Sequence, residues 1–359
     1  MLETMRIGFD ARAAFLDPRR GLGRVARSLA DALLEAAPGE VVVFVSHGAR
    51  VPQTWYPRAA SIVQLSRPRR GAFLFDPMAW AITLRRHRVD VLHLPAWGVP
   101  PGVPVPTVAT FHDATPFRFP SPPERWRRWR SRLATRSLAR ATAVHAVSHH
   151  AARELREVTA VPESRVSVIH HGVDAAFVPG AAPEPPRHIL FVGGADPHKN
   201  LDVVLDILPE ASRRGVPPLV VAGPPAAGAR LLAHAGLARL VPDPDDVQLA
   251  LLYRQALALL VPSRSEGFGL TIAEAMACGC PVIAADAGAL PEVCGGAAVL
   301  VDPDDRAGWL EAVGALAASP DRRRALAAAG LGRAREFTGR RAAAGLLDLY
   351  RRVARRDSS

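Results

Sequence analysis

Residues 261–282 read VPSRSEGFGLTIAEAMACGCPV. An apolar run ending at Pro262 and Ser263 reads as a buried strand; the turn Gly267-Phe268-Gly269 then opens a helix that Gly279 closes. A strand passing through a glycine turn into a helix is the repeating unit of a parallel α/β sheet. The amides of such a turn and the positive end of the helix dipole favour an anion there, and a diphosphate fits. Glu266 precedes the turn and Glu274 lies about one turn inside the helix. Two carboxylates beside a phosphate repel it unless they accept hydrogen bonds, so the pattern suits a phosphate flanked by hydroxyls. Read alone, the same spacing also describes a capping glutamate and a solvated helix glutamate.

On the N-terminal side, strands are expected at Met5 to Asp10, Val41 to Ser46, Val89 to Leu94, Val105 to Phe111 and Ala143 to Ser148. Helices are expected from about Gly23 to Ala37 and around Pro123 to Ala139. The stretch PGAAPEPP, Pro179 to Pro186, has no periodicity and reads as an interdomain linker. A second run starts at His188 with the strand HILFVGG and the helix Leu201 to Arg214. It continues through strand Pro218 to Gly223, a helix near Arg230, a short strand around Val241 and helix Val247 to Ala256. Strand Ala258 to Pro262, the helix after Gly269, strand Pro281 to Ala284 and a helical tail complete it. Valine-rich strands alternating with helices indicate parallel sheets buried on both faces. The expected fold class is therefore α/β, with two doubly wound, Rossmann-like domains whose strand C-termini face a cleft. Residues 1–178 form the first domain, 179–187 the linker and 188–340 the second.

The bulk composition agrees. The 359 residues suffice for two cores, with 49% hydrophobic and 22% charged. No long apolar run precedes Arg6 and no stretch approaches the ~18 apolar residues of a membrane span, so a cytoplasmic location is expected. Cys278, Cys280 and Cys294 lack disulfide or zinc spacing and read as small residues near a helix end. The net charge of +11 is carried almost wholly by arginine and suits anionic partners. Against that bias, Lys199 is the only lysine and Asn200 the only asparagine. A lone Lys-Asn pair points to a site needing a compact ammonium rather than a guanidinium fork.

The string PSRSEGFGLTIAEAMACGCPVIAADAGALPEV resembles the signature of glycosyltransferase family 4, retaining enzymes of the GT-B fold. FVGGADPHKNL (Phe191 to Leu201), VIHHGVD (Val168 to Asp174) and GLGR (Gly21 to Arg24) resemble further family segments, in the family's order. The resemblance implies that Lys199 holds the diphosphate of a nucleotide diphosphate-sugar, a substrate rather than a cofactor, and that Glu266 contacts the transferred sugar. It implies that the amides of Gly267, Phe268, Gly269 and Leu270 hold sugar hydroxyls and phosphate, and that Glu274 binds the ribose. Gly23, in a loop of the first domain, would approach the phosphate, and His112, in FHD, resembles the histidine beside the reacting sugar. A final helix, 341–359, would return to the first domain. The family often places an arginine immediately before the lysine or five residues before it; His198 and Gly194 occupy those positions. The second cation is then Arg24, Arg264 or His198. GLGR, FHD and DPHKN together resemble mannosyltransferases of surface-polysaccharide pathways, implying GDP-mannose as donor and a glycan or lipid-linked glycan as acceptor.

Other motifs are weaker. Asp243-x-Asp245 and Asp302-x-Asp304 sit in proline-containing loops, where aspartate is a turn residue, so no metal site is expected. Gly21-x-Gly23-x-x-Ala26 fits a dinucleotide fingerprint, but Ala11 to Arg20 separate it from the strand. In Glu124 to Arg140, Trp126, Trp129 and Leu133 share one helix face amid arginines, which reads as a core helix or as a peripheral contact with the inner membrane face. No nucleic-acid recognition motif occurs. The competing functions are a catalytically weak nucleotide-sugar-binding protein and a nucleotide-sugar epimerase.

Overall fold

The computed structural model describes residues 5–15, 21–65, 77–95, 98–119, 132–181 and 183–356. They divide into two compact units, Met1–Gly172 with Gly339–Ser359, and Val173–Thr338. In the first unit, β1 (Ile7–Asp10), β2 (Val41–Ser46), β3 (Ser61–Leu65), β4 (Val91–Leu94), β5 (Thr107–Phe111), β6 (Ala143–Ala146) and β7 (Val166–Val168) make one parallel sheet. Their order is β3-β2-β1-β4-β5-β6-β7. The central strands are buried along their whole length, which is why they read as continuous apolar runs such as VVVFVS. The edge strands β3 and β7 are only half-buried, and both fall outside the apolar runs expected from sequence. The flanking helices α1 (Gly21–Ala36), α2 (Pro77–Arg86) and α3 (His149–Val158) are described in part or whole; Ser148 caps α3 by accepting from the Ala151 N–H.

The second unit repeats the plan. β8 (His188–Val192), β9 (Leu219–Gly223), β10 (Ala238–Pro242), β11 (Ala256–Val261), β12 (Val282–Ala285) and β13 (Val299–Val301) pair in the order β10-β9-β8-β11-β12-β13, all parallel. Its longer helices are α4 (Leu201–Arg213), α5 (Asp246–Gln255), α6 (Leu270–Ala277), α7 (Arg306–Ala318) and α8 (Pro320–Ala334). The last helix, α9 (Gly339–Arg356), rejoins the first unit and packs on α1, β4 and β5. Its buried residues, Ala342, Ala343, Leu346, Leu347, Leu349, Tyr350 and Val353, recur at helical spacing and form one apolar stripe. The two-sheet, doubly wound reading of the sequence holds.

Several local expectations change. The main chain passes between units after Gly172, before the Pro-rich stretch, and 179–187 belongs to the second unit rather than forming a free linker. Arg323 of α8 pairs with Glu184 within it, and Arg254 of α5 donates at 2.9 Å to Val178 O just before it. GLGR is the first turn of α1, not a loop, so Gly23 is buried within a helix and Arg24 is half-buried. The helix expected near Arg230 is a 3-10 helix over Pro225–His234, consistent with Pro224, Pro225 and Gly228 in its first half. Residues 120–131, with Trp126 and Trp129 of the basic stretch, lie outside the described residues; Leu138–Arg140 form a 3-10 turn.

Candidate active site

In both sheets the strand order reverses beside the first strand, and open α/β sheets bind ligands at the strand C-termini flanking such a reversal. In the second unit the reversal falls between β8, whose following loop carries Lys199, and β11, which runs into Pro262 to Glu266. Three bonds tie these loops together. Arg264 N donates to His198 O at 2.8 Å, Asn200 Nδ2 to Pro262 O at 3.2 Å, and Lys199 Nζ to Glu266 Oε1 at 2.6 Å.

Backbone geometry aims the lysine. Lys199 ends a 3-10 turn (Pro197–Lys199), and Asn200 follows in the left-handed region at φ 54° and ψ 39°. Asparagine tolerates that conformation, and its amide also donates to Pro303 O at 2.7 Å. The lone asparagine is thus a buried brace across three loops. Gly193 has φ +147°, and a Cβ there would stand 3.7 and 3.8 Å from Lys199 Cδ and Cε. The lysine stem therefore lies along a glycine backbone.

Glu266 is mostly buried, and burial pushes its carboxyl pKa up. The charge and hydrogen bond of Lys199, a bond from Ser263 and the charge of His198 outweigh that and hold it below the ordinary value. Its backbone rests on Gly288, where a Cβ would approach Glu266 N and O to 3.0 Å, and Ala289 N donates to Glu266 O at 3.1 Å. Gly269, at φ +89°, is the N-cap of α6, so no side-chain cap occupies the first-turn amides starting at Leu270. Phe268 is buried with its ring edge-on to Phe337 at 5.4 Å, which steadies the turn through Gly267. Glu274 is buried in α6, and its Oε2 accepts from Tyr253 Oη at 3.1 Å.

The candidates for a second cation are placed differently. Arg264 is bound to Asp304 and to Pro197 O at 3.4 Å, so it braces the Lys199 turn. Arg24 belongs to the first unit, while His198 acts on Glu266 directly. The aspartate pairs serve as turn and cap residues. Asp245 forms a capping box with Gln248, Asp302 Oδ1 accepts from Asp304 N at 2.8 Å, and Asp305 caps α7. The three cysteines are buried and unpaired, with burial raising Cys278 and Cys294 to about 12.

In the first unit, His112 follows β5 and is half-buried. Its Nε2 lies 2.6 Å from Pro95 O, and its ring stacks on His171 at 5.5 Å. Burial lowers its pKa, opposed by the Pro95 bond and the Asp113 charge. Asp113 Oδ1 accepts from Thr115 N at 2.8 Å, a turn role. The sequence reading missed Glu154, buried on α3. It takes the Ala114 N–H at 2.9 Å and faces Arg118 at 3.0 Å, anchoring the loop after His112. It also missed the roles of Tyr253, whose partner Glu274 lies on another helix, and of Ser263, which it read only as a strand end although it bonds to Glu266 three residues on.

Two parallel, doubly wound units with a Lys-Glu pair at the second reversal define a chain of the GT-B class. The model described as "Glycosyltransferase Family 4" matches residues 19–177, and that described as "Glycosyl transferases group 1" matches 186–319, together most of the sequence. The chain belongs to glycosyltransferase family 4. It is 36% identical over 230 residues to a D-inositol 3-phosphate glycosyltransferase of Segniliparus rotundus (57% of this chain, 51% of the relative). A protein of the same name from Thermobispora bispora is 36% identical over 231 residues (55% and 53%). The chain spans about half the length of the curated relatives it matches. A sucrose-phosphate synthase structure from Thermosynechococcus elongatus superposes with TM-score 0.77 at 22% identity, covering 99% of this chain and 100% of that one. Anabaena HepE in complex with UDP and glucose gives 0.70 at 16%, covering 99% of each. At such identities these two likenesses establish the fold.

Proposed function

We propose that this chain transfers a hexose, with retention of configuration, from a nucleotide diphosphate-sugar to a hydroxyl of a glycan or lipid-linked glycan. The observation that carries the reading is the Lys199–Glu266 pair at the strand reversal of the second sheet. Cleaving the sugar–phosphate bond leaves charge on the distal phosphate while the sugar becomes oxocarbenium-like. Lys199 and the first-turn amides of α6 stabilise that charge, a preorganised electrostatic role worth ~3 kcal/mol per donor. Glu266 accepts from sugar hydroxyls, Glu274 from the ribose, and His112 is assigned the reacting sugar. The departing phosphate takes the acceptor proton, so no protein nucleophile is needed. GDP-mannose is the proposed donor, following the GLGR, FHD and DPHKN likeness, with a product in surface-polysaccharide synthesis.

A panel of nucleotide diphosphate-sugars in a thermal-shift assay tests this. A donor at ~100 times its dissociation constant stabilises the protein by about 2.7 kcal/mol. No shift with any member overturns the reading.

A second acceptor reading has its own support. The relatives' name specifies inositol 3-phosphate, and a cavity of about 540 Å³ at the C-terminal end of β2 is lined by Arg27, His47, Arg50, Phe15 and Trp55. Arginines for the phosphate and aromatic rings for the polyol's apolar faces, lining one cavity, suit a phosphorylated polyol. Incubating donor with D-inositol 3-phosphate or myo-inositol separates the readings, since only the phosphorylated compound is then an acceptor.

A further inference from the structure

The face of the first sheet that leads to His112 carries polar side chains where apolar ones would pack at less cost. His93, Thr110 and His145, on β4, β5 and β6, are all buried, and Thr110 is the direct register partner of His145. On the same strands and on β1, Phe9, Leu92, Val108, Val144 and Ala146 are buried and apolar.

Their hydrogen bonds have one consistent direction. His145 Nε2 lies 2.7 Å from Ile169 O, which only accepts, so Nε2 carries the proton. Burial lowers His145 to about 4, so the ring is neutral and Nδ1 is an acceptor. Thr110 Oγ1, 3.1 Å away, donates to it and has no second hydrogen. Thr110 therefore accepts from His93 Nε2–H at 2.8 Å. His93 is likewise neutral through burial, and its Nδ1 accepts from Tyr350 Oη at 2.5 Å. The chain runs from Tyr350 on α9 through His93, Thr110 and His145 to Ile169.

The far end reaches His112. The Ile169 peptide is held on both sides, since its N–H donates to Ala146 O at 3.0 Å. Two residues on, the His171 ring stands edge-on to His145 at 6.1 Å and stacks on His112 at 5.5 Å with 26° between planes. His112 is fixed independently by Pro95 O. The titratable groups facing this cluster include Asp113, beside His112, His170, beside His145 and His171, and His112 itself, which acts on His93, His145 and His171.

We propose that Tyr350, His93, Thr110 and His145 are positioning residues that set the His171 ring and, through the stack, the His112 ring. The C-terminal helix α9 then controls the geometry of the first unit's candidate catalytic residue. A fully satisfied buried network specifies one geometry more sharply than apolar packing does. The functional consequence rests on the role proposed above for His112; the structural coupling does not.

The test is long-range 15N–1H correlation of histidine-labelled full-length protein, with rings assigned by single histidine substitutions. Thr110→Val keeps the shape and removes the hydroxyl, Thr110→Ser restores it, and Tyr350→Phe cuts the chain at its far end. The expected result is altered His171 and His112 ring shifts in Thr110→Val and Tyr350→Phe, with wild-type shifts in Thr110→Ser. A changed His145 ring with unchanged His171 and His112 rings overturns the proposal. If Thr110→Val fails to fold, Tyr350→Phe decides alone. With a donor that turns over, Tyr350→Phe should lower kcat about 10-fold at unchanged donor KM; unchanged kcat removes the functional half. The spectra decide the coupling even if no donor is ever turned over.

Discussion

Lys199 Nζ stands 2.6 Å from Glu266 Oε1, joining two loops that leave the second sheet on opposite sides of its strand reversal. A diphosphate entering there offers the ammonium a new anionic partner and frees the carboxylate for sugar hydroxyls. Lys199→Ala should reduce transfer about 100-fold or more at unchanged far-ultraviolet circular dichroism. In the same variant the Glu266 pKa should rise, because the Lys199 charge and hydrogen bond that oppose burial are then gone. Carboxyl 13C titration reads that change.

Asn200 should be intolerant of substitution for architectural reasons. Asn200→Gly keeps the positive φ but loses two buried donor bonds, at a cost of about 2 kcal/mol. Asn200→Ala adds backbone strain of about 1 kcal/mol. Urea denaturation should therefore rank wild type above glycine and glycine above alanine.

Gly223 is a remote control on the lysine loop. A Cβ there would meet Gly193 O at 2.1 Å, and Gly193 lies along the Lys199 stem. Gly223→Ala should displace that loop and cost about 1 to 3 kcal/mol. Donor affinity measured by calorimetry should fall with it, although Gly223 touches no proposed ligand.

Acid should destabilise the protein well before its carboxylates titrate. Burial lowers His188 and His145 to about 4, from 6.5 when unfolded. The unfolded chain then binds protons that the native state refuses, so stability falls as pH drops from about 6.5 to 4. Each group contributes roughly 3 kcal/mol at most. Glu266, with its lowered pKa, adds a further loss below 4.5. His188→Gln keeps a donor for Leu252 O, 3.0 Å from the ring, without titrating. Its melting temperature should depend less on pH between 6.5 and 4.

The sheet interiors were legible because buried parallel strands must be apolar along their length, as VVVFVS and ALALLV show. The edge strands Ser61–Leu65 and Val166–Val168 were not, because half-burial leaves no such run. Lys199, Glu266 and the glycine turn stood out through local chemistry, and the structure joins the first two directly. Tyr253, Glu154 and the His93–Thr110–His145 chain were invisible for the converse reason. Each is defined by contacts between strands and helices far apart in sequence, such as Tyr350 to His93. The GLGR segment misled because its glycines suggested a loop where the amphipathic pattern of α1 already begins.

Calorimetric titration of the wild type and Lys199→Ala with GDP-mannose, UDP-glucose and other nucleotide diphosphate-sugars bears on the donor site itself. At least one donor should bind the wild type and bind Lys199→Ala about 100-fold more weakly, a loss of about 2.7 kcal/mol. Equal affinity in the two proteins, or no binding of any diphosphate-sugar to the wild type, would contradict the assignment of Lys199 to a donor diphosphate.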